Sequence, residues 1–261
     1  MLDLSVLTLI AICVASLVAG WVNAVVGGGG VIQMPALLIA LPSETPVATI
    51  SGTNKLGSIS GTAAACAAYI PKMSIQWPTV IVAIVFAYAG ATAGANLVQY
   101  VPRSVFIPII IVVVALVGIH TLRNPQLGQI SAEKYTGRKR SLISAGIGTV
   151  CGIWDGVIGP GTGIFLILGF VVILGFGFLE ASAMAKLVNL TSNLAALIVL
   201  GVTGHVLWFL GGLMALCSLI GGFIGAHMAL KYGNSFIRRI FLIAVIILEV
   251  RLIYDAILLF M

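Results

Sequence analysis

Ten apolar runs, five on each side of one polar stretch, fill almost all of this chain. They lie at roughly 3–26, 31–42, 46–70, 78–100 and 103–122, and again at roughly 141–159, 163–176, 181–203, 206–230 and 236–260. A helix of about 20 apolar residues is long enough to cross a bilayer, and a chain that keeps repeating such runs has no other place to bury them. The charge content points the same way. Only 8% of residues are charged and 61% are hydrophobic, whereas an average soluble domain is about 25% charged. Thirteen bases and seven acids cannot coat a water-soluble globule of 261 residues. Secreted domains, nucleic-acid modules and disordered chains are excluded. A transmembrane barrel would show alternating segments of about ten residues, and these runs are continuous and longer. The expected fold class is an all-α integral membrane protein.

The two sets of runs share a register. Lys55 and Lys186 are 131 positions apart, as are Trp77 and Trp208, and Gly94-Ala95 and Gly225-Ala226. Gly20, Asn23, Gly27 and Gly29 match Gly152, Asp155, Gly159 and Gly161 at a spacing of 132. Lys, Trp and Gly in one register imply a duplication. Residues 1–122 then form a first transmembrane repeat, 123–140 a polar linker and 141–261 a second repeat. The second run of each half is too short for an ordinary straight span, so each half is expected to contain a short broken helix.

Crossing number sets the symmetry. If all five runs of a half cross, the halves insert in opposite senses. One side then collects Lys72, the basic linker, Lys231, Arg238 and Arg239, and the other holds only Arg103. If the short runs are re-entrant, the basic loops divide about equally. The positive-inside rule favours the first scheme: ten membrane segments in two inverted halves, a cytoplasmic linker and both termini outside. Eight segments is the alternative. The first run follows Met1-Leu2-Asp3-Leu4 with no positive n-region and no Ala-x-Ala site before Trp21, so it is expected to be a retained helix.

Charged and polar groups inside the runs are the candidate site. Lys55 lies nine residues past Pro46, about 14 Å along a helix and near the midplane. Lys186 has the same depth in its own half. A lysine at the bilayer centre costs about 2.5–3.5 kcal/mol on insertion scales. Two of them need partners, unless they snorkel to an interface. Asp155 is the only acid near the repeated motifs; Glu249 and Asp255 lie in the last run, where Arg251 is a closer partner. Two lysines against one aspartate leave a positive balance, which attracts an anion and repels a cation. Thr53 and Asn54 stand beside Lys55, and Asn189 and Asn193 follow Lys186, donors suited to an oxyanion or to bonds between helices. Gly27-Gly28-Gly29-Gly30 and Gly159-Pro160-Gly161-Thr162-Gly163 follow the first and sixth runs. Paired Gly-rich breaks at matching places point to a transport site, and Gly28, Gly29 and Gly161 would offer backbone N–H groups there. Asp155 is the candidate for proton coupling; its counterpart, Asn23, cannot titrate. The Gly57-x-x-x-Gly61, Gly90-x-x-x-Gly94 and Gly221-x-x-x-Gly225 spacings read as close helix packing.

The remaining chemistry is sparse. Cys13, Cys66, Cys151 and Cys217 read as small buried hydrophobes. His120, His205 and His227 lie near run ends without metal-ligand spacing. No nucleophile, metal cluster or cofactor motif stands out, so no catalytic residue, metal or cofactor is expected.

The run Gly27–Leu37 followed by Thr53-Asn54-Lys55-Leu56, with Asp155–Gly163 and Ala185-Lys186-Leu187-x-Asn189-x-x-Ser192-Asn193, resembles the TauE/SafE family of sulfite exporters and related anion permeases. The resemblance implies movement of sulfite, thiosulfate, sulfonates or related organosulfur acids across a prokaryotic inner membrane. A secondary transporter is the leading expectation and an anion channel of the same fold the alternative. The expected partners are a small anionic solute and the lipid bilayer, with a homodimer as an option and no nucleic acid. Pro35 has no proline counterpart around Phe165–Ile167, so the two short runs are expected to break differently.

Overall fold

The computed structural model describes residues 5–42, 44–97 and 131–260. The run 103–122, with Arg103, His120 and Arg123, lies outside the described residues, as do the side chains of Glu249, Arg251 and Asp255. The described residues form helices and no strand: α1 Val6–Val26, α2 Gly30–Ala40, α3 Val47–Tyr69, α4 Trp77–Leu97, α5 Gly137–Val157, α6 Thr162–Leu168, α7 Phe178–Val202 and α8 Trp208–Phe260.

Local chemistry fixes the ends. The Ser5 hydroxyl caps α1 by accepting the Thr8 N–H at 3.1 Å, and Pro46 precedes α3. Helix α5 begins at Gly137, inside the stretch read as linker. Its first turn holds Arg138, Lys139 and Arg140, an unfavourable set at the positive end of a helix dipole. Glu133 offsets it by pairing with Arg140 at 2.6 Å. The backbone of α8 leaves helical geometry at Gly233 (φ 70°, ψ −160°), which separates the two runs read at 206–230 and 236–260.

Among the described residues four helices are long and apolar enough to cross a membrane: Val6–Val26, Trp77–Leu97, Phe178–Val202 and the Trp208–Ala244 part of α8. Helices α3 and α5 have the length, with 23 and 21 residues, but α3 carries Lys55 and its polar neighbours and α5 its basic first turn. The short runs do break differently. Helix α2 carries Pro35 within 11 continuous helical residues. Helix α6 passes after seven residues into a π-helix, Gly169–Leu174.

Packing brings specific ends together. Ile12, Leu37, Leu41, Ile50, Leu210 and Met214 form one cluster, which joins the first half of α1, the end of α2 and the starts of α3 and α8. At the opposite end the Ala132 N–H donates to the Gly175 carbonyl at 2.8 Å, Ser131 donates to Glu180 at 2.9 Å, and the Leu179 N–H donates to Asn234 at 2.7 Å. Among the described side chains, every lysine and arginine except Lys55 and Lys186 belongs to a segment at this second end.

Helix starts in the two halves recur at spacings of 131 or 132, and the packing is reciprocal. Helix α1 packs along α8, and α5 packs along α4. Gly20 lies against Ser218, Gly221 against Leu17 and Gly225 against Trp21; in the other pair Gly148 lies against Ala83, Gly152 against Ala87 and Gly156 against Ala91. A methyl group at any of these six glycines would strike the partner's backbone. Contact positions advance together along α4 and α5, and α1 meets α8 first around Ile12 with Leu210 and Met214 and later at Trp21 with Gly225 and Met228, so each pair runs parallel. The small-residue spacings therefore serve helix packing, as expected.

Candidate functional site

Two helix breaks meet inside the bundle. Helix α1 ends at Gly27 and α5 is followed by Gly159, matching positions with φ of 80° and 88°. That left-handed conformation is open to glycine and strained for most other residues. Gly27 abuts Gly163, and Gly30 lies against Pro160, so the loop of one half rests on the loop of the other.

Beside this junction is a small cavity. Its wall carries Asn23 from α1, Asn54, Lys55 and Ser58 from α3, Asp155 from α5, and Asn189 and Asn193 from α7, with Gly27, Gly30, Gly159 and Gly163 from the breaks. Its volume is about 10 Å³, room for the centre of about one water molecule.

Lys55 is fully buried. Its ammonium lies 2.8 Å from Asp155 Oδ1 and donates to the Asp155 backbone carbonyl at 2.7 Å. The Thr162 hydroxyl lies 2.9 Å from the same Oδ1 and 2.7 Å from the Gly159 carbonyl. One carboxylate oxygen is thus held on two sides. The other, Oδ2, is buried and has no hydrogen-bond partner among the described residues, nor has Asn54 Oδ1. Burying an ion pair is justified energetically only by close contact and further hydrogen bonds, and Thr162 and the backbone carbonyl supply these on one side.

The carboxamides are organised along two helices. Asn23 donates to Thr62 at 2.7 Å. Asn193 donates to the Asn189 backbone and side-chain oxygens at 2.7 and 2.9 Å. Lys186 is also fully buried, yet it does not line this cavity. It lies near enough to Cys66 for its charge to act there, and its ammonium has no hydrogen-bond partner among the described residues.

The structure therefore brings Lys55, Asn54, Asp155, Asn189 and Asn193 together and leaves other expected residues aside. Thr53 donates to the Thr49 carbonyl at 2.7 Å and accepts the Leu207 N–H at 3.0 Å, which ties the start of α3 to the loop before α8. Gly28 faces the Ile164 side chain, Gly29 packs on Ala19 and Asn23, and Gly161 precedes α6 with φ of 87°. The charge expected at one place is also divided: the cavity wall holds one cation and one anion, and the second ammonium lies off it. Thr162 has no role in the sequence reading. Its position as the only hydroxyl between the glycines after Asp155 is the available signal.

Apolar helices that enclose a buried ion pair and carboxamides, beside two matched backbone breaks, define a class: multi-pass membrane proteins built on discontinuous helices. The sequence comparisons narrow the class. The family described as sulfite exporter TauE/SafE matches residues 12–252, and the chain belongs to that family. It is a family of membrane transporters and not of enzymes. The chain is 34% identical over 255 residues to a probable membrane transporter protein, ORF9, of Sinorhizobium sp., covering 98% of this chain and 96% of that protein. It is 32% identical over 242 residues to the probable membrane transporter protein YfcA of Escherichia coli K12, covering 92% and 88%. A probable membrane transporter protein of Haemophilus influenzae is 29% identical over 256 residues, covering 97% and 98%. No solved structure matches the chain.

Proposed function

We propose that this protein is a secondary transporter of a small anion, a sulfur oxyanion such as sulfite or thiosulfate or an organosulfur acid such as a sulfonate. The observation that carries the reading is Lys55, fully buried on the wall of a cavity where two helix breaks meet. Lys55 attracts the anion, Asn54, Asn189 and Asn193 orient its oxygens, and Lys186 supplies a second buried positive charge on α7. Asp155 couples transport to protons. The family description, sulfite exporter, supports the substrate class.

The same reading makes the repeats inverted. Lys186 lies within electrostatic reach of Cys66, late in α3, whereas Asn189 and Asn193, further along α7, share a wall with Asn54 and Ser58, early in α3. Helices α3 and α7 therefore run in opposite directions, as inverted halves require. Helix α1 begins where α2 ends, which supports an odd number of crossings per half and ten segments in all. The basic end, with Arg138, Lys139 and Arg140, faces the cytoplasm of a prokaryotic cell by the positive-inside rule.

The test is uptake of sulfite and of sulfonates into proteoliposomes. Lys55→Gln and Lys186→Gln are expected to abolish it. Full activity in both variants overturns the proposal.

A further inference from the structure

We propose that Asp155 and the transported anion take turns on Lys55: the anion is held only after Asp155 has taken up a proton, so each anion travels with one proton. This rests on the anion-transport reading above and adds an order of events to it. In the structure the Lys55 ammonium is already neutralised, at 2.8 Å from Asp155 Oδ1. Among the described residues no other charged side chain lines the cavity. An anion entering beside the ionised carboxylate would meet a negative group and no free positive one.

The geometry provides for the exchange. Oδ1 is engaged by Lys55 and Thr162, whereas Oδ2 is buried without a partner among the described residues, so Oδ2 is the oxygen open to a proton. Protonation removes the negative charge and leaves Lys55 tethered, because the ammonium also donates to the Asp155 backbone carbonyl at 2.7 Å. The amine stays charged and stays in place while its counter-ion is withdrawn. Asn54 and Asn189, both on the cavity wall, then offer amide donors to the anion's oxygens. The proton comes from water on the side of entry and leaves with the anion on the other side, and Lys55 remains an ammonium throughout.

Few other groups compete for this titration. Helix α3 presents Lys55, and α5 itself presents Cys151 one turn before Asp155. Helix α1 presents Asn23, α4 presents Ala91 and Ala95 beside Gly156, α6 presents Thr162, and α7 presents Asn189 and Asn193, none of which titrates. Lys186, on α7 and off the wall, is a further buried charge among the described residues. Asn23 fills the position that matches Asp155, so the site has one exchangeable proton and not two.

The probe is methanesulfonate, whose charge is constant across the working pH range, added to the purified full chain with binding read by thermal shift and by calorimetry. Wild-type affinity should rise about tenfold for each pH unit lowered until Asp155 is protonated, the slope that one linked proton requires. Asp155→Asn should bind tightly with no pH dependence, and Lys55→Gln should not bind. In weakly buffered wild-type protein, binding should take up one proton per anion, a readout that does not depend on any variant folding. Wild-type binding that is independent of pH, or that takes up no proton, overturns the exchange and leaves the transport reading standing. Absence of binding by methanesulfonate, sulfite and thiosulfate alike, at every pH and in every variant, overturns both.

Discussion

Lys55 and Lys186 occupy matching positions on α3 and α7, and both are fully buried, yet their surroundings differ. Lys55 has a carboxylate at 2.8 Å; Lys186 has no hydrogen-bond partner among the described residues. One residue accounts for much of the difference. The second half supplies Asp155, whereas the matching position of the first half holds Asn23, whose amide is spent on Thr62. The two amines sit at matching register positions, and the Asp155/Asn23 difference gives one of them a carboxylate partner among the described residues. Matched positions can therefore differ in surroundings, with one amine held in an internal pair and the other without a hydrogen-bond partner among the described residues.

Four substitutions break or sharpen that contrast. The largest effect is expected at the paired amine. Lys55→Met leaves the Asp155 carboxylate buried without a counter-ion, and removing one member of a buried pair typically destabilises by about 3–5 kcal/mol. Thermal unfolding in detergent should show a clear fall in Tm, and an unchanged Tm would mean that the pair contributes nothing. At the unpaired amine the sign should reverse. Lys186→Met removes a buried polar group with no hydrogen-bond partner among the described residues, a group that costs about 1–3 kcal/mol in protein mutational series. The variant should therefore melt higher while anion uptake is lost; a lower Tm would reveal a partner for Lys186. Asn23→Asp tests the divergence itself. A carboxylate in the first half should compete for the site and weaken sulfonate binding by about tenfold, or 1.4 kcal/mol, with calorimetry as the measurement. The smallest effect is expected from Thr162→Val, which removes one hydrogen bond to Asp155 worth about 1 kcal/mol. It should lower Tm slightly and shift the pH at which sulfonate binding half-saturates.

Much of the architecture is legible in the residues. Lys55, Trp77 and the Gly27 cluster share a register with Lys186, Trp208 and the Gly159 cluster, and the observed helix starts keep it. The missing counterpart of Pro35 correctly marks the short helix that ends as a π-helix. The glycine spacings read as packing because a close approach needs small residues wherever it occurs. The site is harder to read. Asp155 and Lys55 are 100 positions apart, and counting charges gives their number without saying which amine the acid reaches. That choice depends on how α5 leans on α3. For the same reason sequence spacing alone did not separate Thr53, whose hydroxyl ties down the loop before α8, from Asn54, which turns one position further to face the cavity.

The reciprocal pairing of α1 with α8 and of α4 with α5 has a consequence for biosynthesis. Helix α1 leaves the ribosome well before α8 and must wait for it before it gains its main neighbour. Until then its glycine-lined face can meet only lipid or the insertion machinery. The two halves assemble by clasping each other, and a chain interrupted in the polar stretch between them would regain its form only if both pieces were made in the same membrane.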